Sequence, residues 1–354
     1  MHRFRFSLIA VLVIFVLVGQ GCFSLGTQQE ARDDGGVFKS LDAGQTWEQR
    51  VAYPTPKGVQ QLKQLSVDNL TIDPQDSNVI YLGSKGSGLL YSEDAAVSWE
   101  RPRNSALRNG EVEDISVDPT DVCTVYFVKS KNLHKTDDCL RSADNEVYVE
   151  TRSRVAIESV EVDWFDPSVV WLGLSNGDLL KSTNGGDTWS NVMNVGSDVT
   201  DIIVNLKDSR RIMVATDGDG FYTTRDGGGS WTQFEEGLED WRGSEDVRHL
   251  SQSNNSGVVV AASDYGLLRS FDFGQSWEPI ELLTAPGDVD ILGLAVDPQN
   301  ADRIYYTADS TFYRTKDGGG AWTTKQIPTT KLVEAIAVNP EDSDVVYTGA
   351  GSAK

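Results

Sequence analysis

Histidine, cysteine and methionine each occur only three times in 354 residues, and positive charge is in short supply: 31 Lys and Arg against 53 Asp and Glu, a net charge of −22. Each shortage removes a class of function. Beyond the first few residues only His134 and His249 remain, far apart and without HExxH spacing, so no zinc centre is expected. A surface this acidic lacks the clustered cations that displace counterions from nucleic acid, and it disfavours docking onto anionic lipid headgroups. A cationic partner, a metal ion or a neutral glycan stays open, and the charge also serves plain solubility. No Gly-rich phosphate loop runs from a strand into a helix, no cofactor is indicated, and no helix of any length is expected in the mature domain. Asp217-Gly-Asp219-Gly has part of a calcium-loop pattern but no later bidentate Glu, so it reads as a hairpin turn.

The one long apolar run, residues 6–18, has 13 residues, short of the about 20 that span a bilayer but suited to a secretory leader. His2, Arg3 and Arg5 give it a basic start, and Gly19-Gln20-Gly21-Cys22 ends it. Small residues before a cysteine resemble the bacterial lipoprotein box, although Gly19 stands where that box usually has Leu. The expectation is a signal peptide over residues 1–21, a lipid on Cys22, a flexible tether over 22–34, and one domain over 35–354. This places the protein in a bacterial cell envelope, outside the cytoplasm, touching the membrane only through the lipid. In that compartment Cys123 and Cys139 tend to oxidise. They flank two strands joined by a Lys129-Ser130-Lys131 turn, a spacing that brings them within disulfide reach.

Glycine (33) and tryptophan (nine) are abundant, and both follow a repeat. The pattern is Ser/Thr, any, Asp, any, Gly, any, Ser/Thr, Trp. It recurs around Asp42 and Trp47, Asp94 and Trp99, Asn184 and Trp189, Asp226 and Trp231, Asp272 and Trp277, and Asp317 and Trp322. A decayed copy around Asp138 has Leu140 for Gly and Ala143 for Trp. Side chains of this kind fix a turn through backbone N–H groups, Gly supplies positive φ, and Trp anchors the hairpin edge. Before each box come two short apolar runs split by a polar turn, as in Leu70-Thr71-Ile72-Asp73-Pro74 followed by Val79 to Gly83. Four short strands per ~45 residues make one propeller blade. Box ends at 47, 99, 143, 189, 231, 277 and 322 are 42 to 52 residues apart, and joining residue 354 to residue 35 adds one more interval of 45. The fold class is therefore all-β: a seven-bladed β-propeller of four-stranded antiparallel blades, closed by a blade shared between the termini. The longest interval places an insertion, read as a surface loop, within residues 47–65.

These boxes resemble the Asp-box, or BNR, repeat over about 320 residues. That family includes sialidases, xyloglucan-degrading glycosidases, sortilin receptors and photosystem II assembly factors. The resemblance implies boxes on blade rims, away from any active face. Sialidases have an Arg-Ile-Pro segment that is absent here. Xyloglucan-degrading enzymes place two Asp between two propellers, whereas this chain has one. Sortilin receptors use ten blades. The assembly factors match best in length and blade count, and they are scaffolds; the sequence departs from them in lacking an evident basic patch. The expected function is a non-catalytic protein-interaction or assembly scaffold with no catalytic residues, and the alternative is a glycoside hydrolase. The expected partner is an envelope protein, through a basic segment, with a glycan still possible.

In a propeller the first strand of each blade lines the channel, so residues at its start should form the mouth. One column there is Asn69, Asp114, Ser159, Asp201, His249, Gly293 and Ala335; the preceding one is Asp68, Glu113, Glu158, Thr200, Arg248, Leu292 and Glu334. The candidate binding residues are Asp68, Asn69, Glu113, Asp114, Glu158, Asp201, Arg248, His249 and Glu334, an acidic mouth suited to a cation or a basic segment. The competing reading is water-filled channel lining.

Overall fold

The computed structural model describes residues 33–140, 145–234, 238–254 and 256–353. The expected signal peptide, Cys22 and most of the tether lie outside the described residues.

Seven antiparallel sheets follow one another along the chain. Blade 1 holds Val67–Ile72, Ile80–Gly86 and Gly88–Ser92, with an outer edge reduced to the bridge between Tyr91 and Glu100. Blade 2 holds Asp114–Val117, Val125–Lys129, Asn132–Thr136 and Asn145–Val149. Blade 3 runs from Ile157–Val162 to Ser190–Asn194, and blade 4 from Val199–Val204 to Thr232–Phe234. Blade 5 runs from Val247–Gln252 to Glu278–Pro279, and blade 6 from Gly293–Val296 to Trp322–Gln326. Blade 7 pairs Lys331–Val338 and Val346–Ala353 with Gly36–Ser40 and Glu48–Arg50, so the ring closes through Phe38 opposite Thr348.

The second strand of a blade is covered on both faces by neighbouring sheets. This is why Val170–Leu174, Ile212–Thr216, Val259–Ser263 and Ile304–Ala308 are buried at every position, and why they read as apolar runs rather than alternations. Inner pairs turn on a polar residue that accepts N–H groups, as Asp73 does from Gln75, Asp163 from Phe165 and Asn339 from Glu341, each at 2.8 Å; blade 5 departs, its Ser253 hydroxyl donating to Pro298 O at 3.2 Å.

The boxes form as their residue types require. In the first, Ser40 Oγ donates to Asp42 Oδ1 at 2.8 Å and accepts Gly44 N–H at 2.8 Å, while Asp42 accepts Thr46 N–H at 2.8 Å. Two boxes without the glycine still adopt positive φ, at Ala96 (64°) and Leu140 (62°). The tryptophans do more than anchor their own hairpin, because each reaches the preceding blade. Trp277 stacks on Phe221 with centroids 4.1 Å apart, Trp231 meets Trp171, and Trp47 meets Phe312. Trp99 Nε1 donates to Arg50 O at 2.8 Å, Trp189 Nε1 to Val147 O at 3.0 Å, and Trp322 Nε1 to Glu281 O at 2.8 Å. Blade 2 has no such tryptophan. There Leu140 is buried beside Tyr81, Leu89 and Leu107 of blade 1, and a Cys123–Cys139 disulfide joins the box to the start of the second strand.

Two expectations need correction. The insertion is not a plain loop but a hairpin, Ala52–Thr55 with Gly58–Gln61, because Pro56-Lys57-Gly58 turns the chain tightly and Gly58 takes φ 117°. Helix is not wholly absent: single 3-10 turns occur at Ser105–Arg108 and Leu238–Asp240, and the Asn104 side chain caps the first by accepting Ala106 N–H.

Candidate functional site: the channel mouth and its loops

Chain direction sorts the loops onto two faces. First strands end, and boxes lie, on one face. First strands begin on the other, the entry face, which also has the turns between second and third strands. In five blades the pairing of first with second strand slips near its start: between Val67 and Asn69, Ile157 and Ser159, Val199 and Asp201, Val247 and His249, and Val333 and Ala335. The extra residues are Asp68, Glu158, Thr200, Arg248 and Glu334. A bulge re-aims side chains, which lets successive residues such as Asp68 and Asn69 both serve the mouth.

The first column turns out to join blades. Asp114 accepts Ile115 N–H on Oδ1 and Val160 N–H of blade 3 on Oδ2, both at 2.8 Å, and Asn69 of blade 1 donates to it at 3.2 Å. Asp201 repeats the device between blades 4 and 5, accepting Ile202 N–H at 2.8 Å and Leu250 N–H at 2.7 Å. One step further down, Ser116 Oγ accepts Val162 N–H and Ser251 Oγ accepts Val296 N–H. Burial pushes Asp114 up to about 6, against the pull of these N–H donors. Burial, with Asp114 adding repulsion, pushes Asp201 up to about 7. Glu161, which the sequence reading passed over, faces both; burial and then Asp201 and Asp114 hold it well above the carboxylate range. His249 is held below the usual imidazole range by burial, partly offset by a hydrogen bond with the Leu292 backbone. Asn69, Asp114 and Asp201 each therefore commit polar atoms to bonds across a blade boundary as well as to their own strand.

The second column is divided. Asp68 and Glu334 share Lys85, at 3.4 and 2.8 Å, across the blade 7–blade 1 boundary. Arg248 is taken by Asp264 at 2.6 Å, with Asp290 at 4.0 Å. Glu113 differs: burial first, then Glu111 and Glu158, push it up to about 8, and its Oε2 is buried without a hydrogen-bond partner among the described residues. Burial, then Asp198 and Glu111, also raise Glu158. A carboxyl pushed up this far can donate a proton, which is the chemistry of a general acid.

The densest acid lies outside both columns, on the entry-face loops of blades 4 to 6. Asp246 is raised by burial and then by Glu245, Asp264 and Asp217; Asp198 is raised by burial and then by Asp217. Asp217 and Asp246 are bridged backbone to backbone, and Asp264 and Asp290 complete the group around Arg248. The available signal was position: Asp217 and Asp264 each lie in the turn between second and third strands, six or seven residues before the start of a box. No group of three or more His, Cys, Asp or Glu among the described residues could hold a metal ion. His134 is buried and stacks on Phe127 at 5.2 Å.

Residues 193–352 match the family model of the photosynthesis system II assembly factor YCF48. The chain is 24% identical over 296 residues to xyloglucanase Xgh74A of Acetivibrio thermocellus, which covers 81% of this chain and 28% of that protein. The chain thus spans under a third of that relative. Among solved structures, the GH74 xyloglucanase of Xanthomonas campestris superposes with a TM-score of 0.66 at 17% identity, over 81% of this chain and 51% of that one. YCF48 bound to D1 peptide superposes with a TM-score of 0.60 at 12% identity, over 81% of this chain and 94% of that one. At such identities the structural likeness shows the fold.

Proposed function

We propose that this chain, a seven-bladed β-propeller of Asp-box repeats, is a non-catalytic interaction scaffold of the bacterial cell envelope, held by a lipid on Cys22 and binding a basic segment of a protein partner. The observation that carries the reading is how the acids are used. The channel carboxylates Asp114 and Asp201 are bound to backbone N–H groups of the next blade. The exposed acids crowd instead on the loops of blades 4 to 6, where burial first, and then the neighbouring carboxylates, raise Asp246 and Asp198. A cationic segment relieves that repulsion. The YCF48 family match and the likeness to a YCF48 propeller that binds a peptide support a protein partner.

Crosslinking in intact membranes, followed by purification of the full chain, tests this. A partner joined through Lys- or Arg-rich sequence is expected, and Asp217→Asn with Asp264→Asn should remove it. Failure of that double variant to change the crosslinked partner would count against the reading.

The second reading, glycoside hydrolysis, has the xyloglucanase similarity and Glu113 in its favour. Release of reducing ends from xyloglucan, abolished by Glu113→Gln, would establish it.

A further inference from the structure

Net charge conceals a segregation on the entry face. Opposite the acidic loops of blades 4 to 6, the loops of blades 1 and 2 have six cations, Arg101, Arg103, Arg108, Lys129, Lys131 and Arg154, and none of them makes an ion pair among the described residues. They form one connected arc. Arg101 Nη1 donates to Arg108 O at 2.9 Å, and Arg108 Nη2 to Arg103 O at 3.1 Å. Lys129 Nζ donates to Ala106 O and Lys131 Nζ to Arg152 O, both at 2.5 Å, with Arg154 two residues on. Carbonyl oxygens satisfy the geometry of these groups without cancelling their charge. Arg152, by contrast, is neutralised by Glu150 and Asp178. Two acids adjoin the arc: Glu111, exposed on the loop of Arg108, and Glu113, which burial and then Glu111 and Glu158 push up to about 8.

The start of the described chain lies beside this arc. Asp33 lines a surface cleft of about 590 Å³ with Lys63, Leu65 and Ser87. The Ser87 carbonyl is the acceptor that holds Arg101, at 2.8 Å. Fourteen residues, 19–32, separate Asp33 from the apolar run at 6–18, a reach of at most roughly 50 Å. The end of the chain nearest that run and the unneutralised cations thus share one edge of one face.

We propose that this arc docks on the anionic phospholipid headgroups of the membrane that holds the N-terminus. Cations within a Debye length of such a surface are attracted to it, and the acids of blades 4 to 6 are repelled. The propeller then stands tilted, blades 1 and 2 against the membrane and blades 4 to 6 lifted away, leaving the acidic loops open to a partner. Docking requires neither the partner nor a particular anchor chemistry.

The full chain, reconstituted in vesicles of phosphatidylcholine mixed with phosphatidylglycerol and a headgroup spin-labelled lipid, tests the orientation. A fluorophore is placed on Ser105→Cys, in the arc, or Asp240→Cys, on the acidic side, with the parent chain correcting for Cys22. Quenching severalfold stronger at position 105 is expected. It should vanish in high salt and on phosphatidylcholine alone. Lys129→Gln with Lys131→Gln should reduce it. Arg103→Gln with Arg154→Gln, whose side chains make none of the bonds above, should reduce it without changing the melting temperature. Equal quenching at both positions, a difference that persists on phosphatidylcholine, or an acidic protein crosslinked to an unquenched arc would each overturn the proposal. Loss of the crosslinked partner with the quenching difference intact would instead strike only the scaffold reading.

Discussion

Asp201 of blade 4 accepts the backbone N–H of Leu250 in blade 5 at 2.7 Å, and the same carboxylate accepts Ile202 N–H at 2.8 Å. Both oxygens are used, so an amide is not an adequate substitute. Asp201→Asn presents an NH2 group to one of the two donors. It should cost about 1–3 kcal/mol, the usual penalty for an orphaned buried donor. Chemical denaturation at pH 5, below the value of about 7 to which burial pushes Asp201 and so with no buried charge to relieve, should show it as a lower midpoint with an unchanged slope.

The same acids set the pH response. Asp114, Asp201 and Glu113 are pushed up to about 6, 7 and 8. A carboxyl whose folded pKa exceeds its unfolded value opposes folding once ionised, and the penalty grows as pH rises from about 4 through the folded values. The box acids act oppositely. Thr46 and Ser40, outweighing partial burial, hold Asp42 near 2, and Ser230 and Thr224 hold Asp226 near 2; their contribution is lost as pH falls from about 4 toward 2. The melting temperature should therefore peak near pH 4 to 5 and decline toward pH 8. In Asp201→Asn the decline should be shallower. A curve rising steadily to pH 8 would contradict this account.

Restoring the repeat consensus should not always help. Ala96 and Leu140 occupy glycine positions at φ 64° and 62°. Ala96→Gly relieves a conformational cost of about 1 kcal/mol and gives up only a methyl, so it should be neutral or slightly stabilising. Leu140→Gly relieves the same cost but empties a site packed against Tyr81 and Leu107, 1% exposed. It should destabilise by about 2–4 kcal/mol. Thermal melts of the two variants side by side would separate these effects.

The Cys123–Cys139 bond spans a separation of 16 residues and should contribute about 3 kcal/mol. Reductant should lower the melting temperature of the parent and leave the Cys123→Ser, Cys139→Ser double variant unchanged. Because blade 2 lacks the tryptophan that ties other blades to their predecessors, the reduced protein should become protease-sensitive first near residues 120–140.

The sequence stated the architecture openly, since blade count and strand pairing follow from a local motif at a near-constant interval. Phe38 pairing with Thr348 was implied by the interval left over at the ends. The role of the channel columns was hidden. Spacing along one chain cannot show that Asp114 meets a backbone N–H one blade away, so a carboxylate that fastens two sheets reads like one awaiting a ligand. The tryptophans were hidden for the same reason: Trp277 lies against Phe221, 56 positions earlier. Charge segregation is lost when 53 acids and 31 bases are summed to one number. Only the ring order shows that Lys129 and Asp264 fall on opposite sides of one face.

The pairing of Gly36–Ser40 with Val346–Ala353 has a consequence for biogenesis. The first strand to emerge from a ribosome or a translocation pore must wait for the last. Until then the growing polypeptide has an open sheet edge at each end, and any product cut short before residue 331 keeps both. Only a chain that includes Val346–Ala353 can cover the edge of Gly36–Ser40, so proteases that recognise unpaired strands would clear shorter copies while sparing those that close the ring.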